Sequence, residues 1–424
     1  MRVFHLNHSD IIGGAARAAY RIHCALRTAD VDSRLMTDVA ISGDWTVQAP
    51  SSKITKAWVV LRPHLGSLAT RLLRTDNPVL HSPSIFPSGR LRRLNTCEAD
   101  LVHLHWVQNE MLSVADIGRL QKPLVWTLHD MWAFCGAEHY AEDRRWQEGY
   151  RANNRPAYER GVDLNRWTWE RKRKHWKHPI QIVTPSQWLA ACVRQSALMH
   201  DWPVTVIPNP IDTEAWQPLN RELARKLLNL PLEVLLVLFG AVGGTRDPRK
   251  GFDLLQAALQ SLQVQSLQVN VSGLELLVFG ERQPQQPPDL GFPTHYAGHL
   301  YDDVSLRILY SAADVMVVPS RQDNLPNTAI ESIACGTPVV AFAVGGLPDI
   351  VTHQQTGYLA TPFDAADLAH GIQWVIEDSY RHAQLCANAR AFAVREFAYP
   401  VVAKQYLAVY EEVLARHRTQ PRPA

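Results

Sequence analysis

Asp323 and Glu331 stand with seven residues between them in SRQDNLPNTAIESIACGTPVVAFAVGG, residues Ser320 to Gly346. The polar loop Arg321 to Asn324 runs into a short helix that stops at Gly336 and launches the apolar run PVVAF. The first N–H groups of such a helix have no intrahelical partner and lie at the positive end of its dipole, so they suit an anion such as a phosphate. Glu331, about two turns further on, can reach back toward a sugar hydroxyl of the same ligand. A capped helix with one exposed acid is the equal alternative.

Three other places bear polar groups at predicted strand or helix ends. Gly13, Gly14 and Ala15 follow the strand Val3 to Asn7 and open a helix; the full G-x-G-x-x-G pattern is missing, so a nicotinamide dinucleotide is a weak reading. His129 and Asp130 close the strand PLVWTLHD, and strand ends are where ligands sit in open α/β sheets. The insert from Met131 to Lys177 is rich in Trp, Tyr and Arg, among them Trp132, His139, Tyr140 and Arg144. Such side chains stack on sugar faces and hold phosphate, or else build a small core of their own. Asp302-Asp303 has the wrong spacing for a metal-binding DxD motif and precedes a helix, which favours capping.

The elements that must position these residues alternate between strands and helices, and they do so twice. A first run reaches IQIVTPS; after VTVIPNPIDTEAW the pattern restarts with LEVLLVLFGA, a basic glycine loop GGTRDPRK and the helix GFDLLQAALQSL. Two Rossmann-like α/β domains facing across a cleft are therefore expected, 1–207 and 208–400, with a terminal helix at about 401–424 packing back on the first. Between Ser51 and Asn95 the rhythm breaks. There Trp58, Leu61, Leu65, Leu68 and Leu72 form an apolar stripe beside Lys53, Lys56, Arg62, Arg71 and Arg74, interrupted by Pro63 and Gly66. Such a segment lies on an anionic membrane surface or, more commonly, packs on its own domain.

The bulk numbers exclude several classes. With 424 residues the chain needs more than one core. Lys plus Arg 43 against Asp plus Glu 41 gives a net charge of +2, so no global charge points to nucleic acid. Six scattered cysteines without a CxxC pair fit a reducing cytosol. No apolar run approaches the roughly 20 residues needed to span a bilayer, and the N-terminus lacks a signal peptide's layout. The expected location is cytoplasmic, with peripheral contact at the membrane face.

VIPNPID, the loop ending Arg249-Lys250-Gly251-Phe252-Asp253, YAGHLYDDVSLRILYSAADVMVVPS and DNLPNTAIESIACGTPVVAFAVGGLPDIV together resemble the retaining glycosyltransferases of family 4. TLHDMWAF and DLNRWTWERKRKHW are similar to the branch found in bacterial colanic-acid, capsule and O-antigen clusters. The resemblance implies a GT-B fold and transfer of a hexose from a nucleoside-diphosphate sugar, UDP- or GDP-linked, with no metal or other cofactor. The acceptor it implies is a sugar hydroxyl of a growing polysaccharide or a lipid-linked glycan.

In the family's E-x7-E motif Glu331 matches the acid that binds ribose, and Asp323 the acid near the donor sugar, one methylene shorter than the usual Glu. Backbone N–H groups of Asn324, Leu325 and Asn327 match those near the phosphates. Lys250 resembles the lysine that neutralises the diphosphate; its partner arginine is replaced by Thr245, with Arg246 or Arg249 as substitutes. His299 and Leu300 match the loop that reads the base, Gly13, Gly14 and Ala15 the loop facing the diphosphate, and His129 the histidine near the transferred sugar. Asp130, Trp132, His139 and Tyr140 are candidates for the acceptor. Pro210 stands where the family has Gly. A nucleotide-sugar 2-epimerase and a non-catalytic sugar-binding partner remain open alternatives, and nothing in the sequence sets an oligomeric state.

Overall fold

The computed structural model describes residues 1–240, 247–266 and 273–419. The chain divides into two compact units, Met1–Pro208 together with the segment from Val402, and Asn209–Val401.

The first unit is a seven-stranded sheet. Its order is Val47–Gln48, Asp32–Met36, Arg2–Leu6, Leu101–Leu104, Leu124–Thr127, Gln181–Thr184 and Val204–Val206, with every pairing parallel. Leu101–Leu104, Leu124–Thr127 and Gln181–Thr184 are buried along their whole length, as apolar runs covered on both faces must be. The order reverses between Arg2–Leu6 and Leu101–Leu104. In an open α/β sheet that switch point leaves a crevice beyond the carboxyl ends of the strands.

The second unit repeats the plan with six parallel strands, Thr294–Gly298, Leu274–Phe279, Leu235–Gly240, Val315–Val318, Val339–Phe342 and Gly357–Ala360. Its switch point lies between Leu235–Gly240 and Val315–Val318. The two parallel α/β sheets are the expected fold class.

The helix Tyr399–Thr419 buries Val402, Tyr406, Val409, Tyr410 and Val413. From Val402 these side chains join Val3, Ile22, Val125 and Val183 in one apolar cluster of the first unit.

Two local expectations are corrected. The helix Lys53–Thr70 runs unbroken through Pro63. Proline leaves the carbonyl four residues back, that of Val59, without its helical donor, but this helix is exposed enough for water to serve it: its buried residues are Arg62 and Gly66. Arg62 anchors it by an ion pair to Asp38 at 3.3 Å and a hydrogen bond to the Met111 carbonyl at 3.0 Å. Of the apolar stripe Leu61, Leu68 and Leu72 are exposed and Trp58 and Leu65 half-buried, with Ile54 and Val60 exposed beside it.

In the aromatic insert Trp132, Tyr150, Trp169 and Trp176 are buried as core, Tyr140 and Trp146 are half-buried, and Trp167 is exposed. Trp132 and Trp176 pack around Trp126 of the central strand. The Lys172 ammonium sits 3.7 Å from the centroid of Trp132 and donates to the carbonyls of Trp132, Cys135 and Gly136.

Candidate functional site

At the switch point of the second unit, the loop after Val315–Val318 meets the loop after Leu235–Gly240. Lys250 ends the single turn Pro248–Lys250, and its Nζ donates to Asp323 Oδ2 at 2.6 Å. Two glycines let the backbones come this close. Gly251 has φ +67, and a Cβ there would stand 1.9 Å from the Pro319 carbonyl oxygen. Gly345 has φ +57, and its Cβ would stand 2.0 Å from the Asp323 carbonyl oxygen. Side chains at these positions would be both strained and blocked. Arg321 clamps the two loops from outside, holding Asp253 with both guanidinium ends at 2.7 and 2.6 Å and the Pro248 carbonyl at 3.1 Å.

Next in the chain, Asn324 and Leu325 are buried and Pro326 precedes the helix Asn327–Ala334. Among the described residues no side-chain hydrogen bond caps that helix start, so its first N–H groups have no intrahelical partner. Asn209 Nδ2 reaches the Leu325 carbonyl at 3.4 Å and Asn327 Oδ1 at 3.3 Å, fixing the turn. Glu331 is 3 % exposed, and its Oε2 accepts from the Tyr310 hydroxyl at 2.9 Å. It is therefore not the exposed acid of the simpler reading but a buried carboxylate with a fixed rotamer.

Among the arginines considered as partners of Lys250, Arg249 pairs with Asp247 at 2.7 Å, and Arg246 lies outside the described residues. His299 is exposed and stacks on Tyr301 at 6.0 Å, with Leu300 partly buried beside the core. Asp302 caps the helix Asp303–Ala312 by accepting from the Ser305 N–H at 2.7 Å.

In the first unit, Gly13 is the N-cap of the helix Gly14–Thr28, and Gly13 and Gly14 are exposed with Ala15 half-buried. Asp10 holds the approach to this turn by accepting from the N–H groups of Ile11, Ile41 and Ser42. His129 follows the strand Leu124–Thr127 and is half-buried. Burial pulls its imidazole down to about 4, against the opposing pull of Asp130, so it is uncharged at neutral pH.

Sequence reasoning missed what stands behind it. His129 Nε2 lies 3.2 Å from His105 Nδ1, and His105 Nε2 lies 2.9 Å from His5 Nδ1. The alternation in VHLHW was the available signal, because residues two apart on a strand share a face.

The acceptor candidates divide. Trp132 has no exposed surface and gives its Nε1–H to the Ser82 carbonyl at 2.7 Å, so it offers no face for stacking a sugar. His139, also buried, joins Ser82 Oγ at 2.8 Å to Asp130 Oδ2 at 2.6 Å. Asp130 further accepts from Trp106 Nε1 and the Trp132 N–H. Burial would raise its carboxyl, but His139 and these donors hold it below the usual range. Both groups brace the loop rather than open onto it. Tyr140 is half-buried.

Residues 12–215 match the family model described as Glycosyltransferase Family 4, and residues 237–378 the one described as Glycosyl transferases group 1. D-inositol 3-phosphate glycosyltransferase of Stackebrandtia nassauensis is 32% identical over 235 residues, 52% of this chain and 51% of that protein. The matched stretch thus spans about half the length of that curated relative. Glycogen synthase of Mycobacterium tuberculosis is 26% identical over 97% of this chain and 94% of its own.

Among solved structures, sucrose-phosphate synthase from Thermosynechococcus elongatus superposes with TM-score 0.64 at 19% identity, covering 98% of this chain and 99% of that one. Anabaena Alr3699/HepE in complex with UDP-glucose gives 0.64 at 18% identity, covering 97% and 100%. The two glycosyltransferase family models thus match one after the other along the chain, and its fold is the GT-B fold.

Proposed function

We propose that the chain is a retaining hexosyltransferase. It moves a hexose from a nucleoside-diphosphate sugar to a sugar hydroxyl of a growing surface polysaccharide or glycolipid. The single observation that carries the reading is the Lys250–Asp323 pair set beside the uncapped start of Asn327–Ala334 at the second switch point. A fixed cation and a row of N–H groups are what a diphosphate needs.

Lys250 and the N–H groups of Asn324, Leu325 and Asn327 take the phosphates. Glu331, oriented by Tyr310, takes the ribose, His299 and Leu300 flank the base, and Asp323 reads a hydroxyl of the transferred sugar. To the first unit we assign diphosphate contacts at Gly13, Gly14 and Ala15 and a contact to the transferred sugar at His129, with Tyr140 nearest the acceptor. That relatives and neighbours carry the names glycosyltransferase and synthase, one of them solved with UDP-glucose, supports a nucleotide-sugar donor.

In the step itself the bond from the anomeric carbon to the diphosphate oxygen breaks, and one to the acceptor oxygen forms on the same face. The acceptor's proton passes to the leaving phosphate oxygen. Lys250 stabilises the charge that develops there.

The helix Lys53–Thr70 gives a second contact. Exposed Ile54, Val60, Leu61 and Leu68 beside Lys53, Lys56 and Arg71 suit an anionic bilayer face, where lipid-linked acceptors are held. The deciding experiment is thermal-shift screening against UDP, GDP, ADP and their sugars, followed by transfer assays with the stabilising donor. A ligand at about 100 times its Kd adds about 2.7 kcal/mol of stability. No shift with any of them would overturn the reading.

A further inference from the structure

Three buried histidines stand behind His129. His5 and His103 face each other across paired parallel strands, and His105 follows one turn of the pleat later. Their ring nitrogens lie close enough to suggest a metal site, but the chemistry argues otherwise. Both nitrogens of His103 are taken, Nδ1 by the Tyr410 hydroxyl at 2.7 Å and Nε2 by Thr127 Oγ1 at 2.8 Å. The set holds no carboxylate to balance a dication in a fully buried site.

What remains is a line, His5 Nδ1 to His105 Nε2 at 2.9 Å and His105 Nδ1 to His129 Nε2 at 3.2 Å. A neutral imidazole carries one N–H and one bare nitrogen. Two successive N–H···N bonds therefore force all three rings to point their protons the same way along the line.

The inner end chooses the direction. His5 Nε2 has no hydrogen-bond partner among the described residues. If the protons pointed inward, that atom would be a buried N–H without an acceptor; if outward, a bare nitrogen without a donor. Orphaned buried N–H groups are the rarer and costlier of the two.

We propose that His5 and His105 are positioning residues that fix His129 as the tautomer protonated on Nδ1. His129 then meets a sugar oxygen as a hydrogen-bond donor and does not act as a base. Burial keeps His5 and His105 uncharged as well, so the line does not break by protonation near neutrality. The sugar contact rests on the proposed transferase reading; the tautomer does not.

The test is a long-range ¹H–¹⁵N correlation spectrum of the full chain labelled with ¹⁵N-histidine at pH 7, with His129→Gln to assign the signals. The expected result is a protonated Nδ1 and an unprotonated Nε2 on His129. The reverse pattern, or a charged ring, overturns the proposal whether or not the protein transfers sugar. In His105→Leu the His129 signals should shift toward a tautomer mixture, and kcat should fall about tenfold, the scale of one lost hydrogen bond, at little change in donor KM. His105→Gln, which keeps a donor, should recover part of the loss. An unchanged tautomer in His105→Leu also overturns it, and should that variant fail to fold the wild-type spectrum decides.

Discussion

The Asp323 carboxylate, 12 % exposed in its side chain, meets the Lys250 ammonium at 2.6 Å. Removing the lysine alone would strand a mostly buried charge, so a lost activity could be lost folding. The pair separates the two. Lys250→Ala should cut kcat by about 10²–10³-fold, the loss typical of one charge-stabilising donor, and lower Tm. Lys250→Ala with Asp323→Asn should regain most of the Tm, because no charge is stranded, while kcat stays low. Steady-state kinetics and thermal scans on both proteins check this; a double variant that recovers its rate would remove Lys250 from the chemistry.

This pairing was not legible in the sequence. The residues lie on different loops 73 positions apart, and only the folded switch point joins them. Asp302 was legible, since an Asp just before a helix caps locally. Trp132 misled because an aromatic-rich insert looks the same whether its rings face a sugar or, as here, a buried ammonium.

At the scale of elements, the close approach of two loops depends on backbone that only glycine supplies. Gly251→Ala would drive a methyl against the Pro319 carbonyl at 1.9 Å in a left-handed conformation. We expect a stability loss of at least about 1–3 kcal/mol and weaker binding of the donor found by screening, because Lys250 moves with the turn. Denaturant titration and donor titration measure the two losses; an unchanged donor affinity would show that the turn does not set the lysine's position.

The helix Lys53–Thr70 makes a second prediction. Its Ile54, Val60, Leu61 and Leu68 side chains are outside and its anchor, Arg62, is inside, the reverse of an ordinary amphipathic helix. Co-sedimentation with vesicles rich in anionic lipid should fall at least several-fold for Leu61→Asp with Val60→Asp, without loss of Tm, and binding equal to wild type would leave the membrane contact without support. The stripe was readable in the sequence, but which way it faced was set by a buried arginine that hydropathy counts as surface.

Across the whole molecule, the doubled strand-helix rhythm gave both sheets. The strand order could not be read from it, because right-handed crossovers allow several orders and only packing selects one. The first sheet also concentrates imidazoles in its core, and that has a consequence for acid stability. Burial holds His5, His103 and His105 well below 6.5 and brings His23 and His129 to about 4. Above pH 6.5 these rings are neutral in folded and unfolded chain alike, and their contribution to stability is intact. As pH falls from 6.5 toward about 4 the unfolded chain takes up protons the folded one refuses, so stability drops, by up to about 1.4 kcal/mol per pH unit for each ring. Glu138 opposes this, since its buried carboxyl is raised and gains a proton in the folded state, and so do the raised carboxyls of Glu110 and Glu159, but the imidazoles outnumber them. Thermal scans should therefore give a Tm that falls steeply below about pH 6.5, well before ordinary carboxylates titrate. His23→Gln should flatten that fall, since the His23 ring nitrogens bond to Ser33 and Thr46 hydroxyls that an amide can also serve. A Tm that stays level down to pH 5 would mean that the imidazoles accept protons where they sit, and that the folded core is wetter than its packing implies.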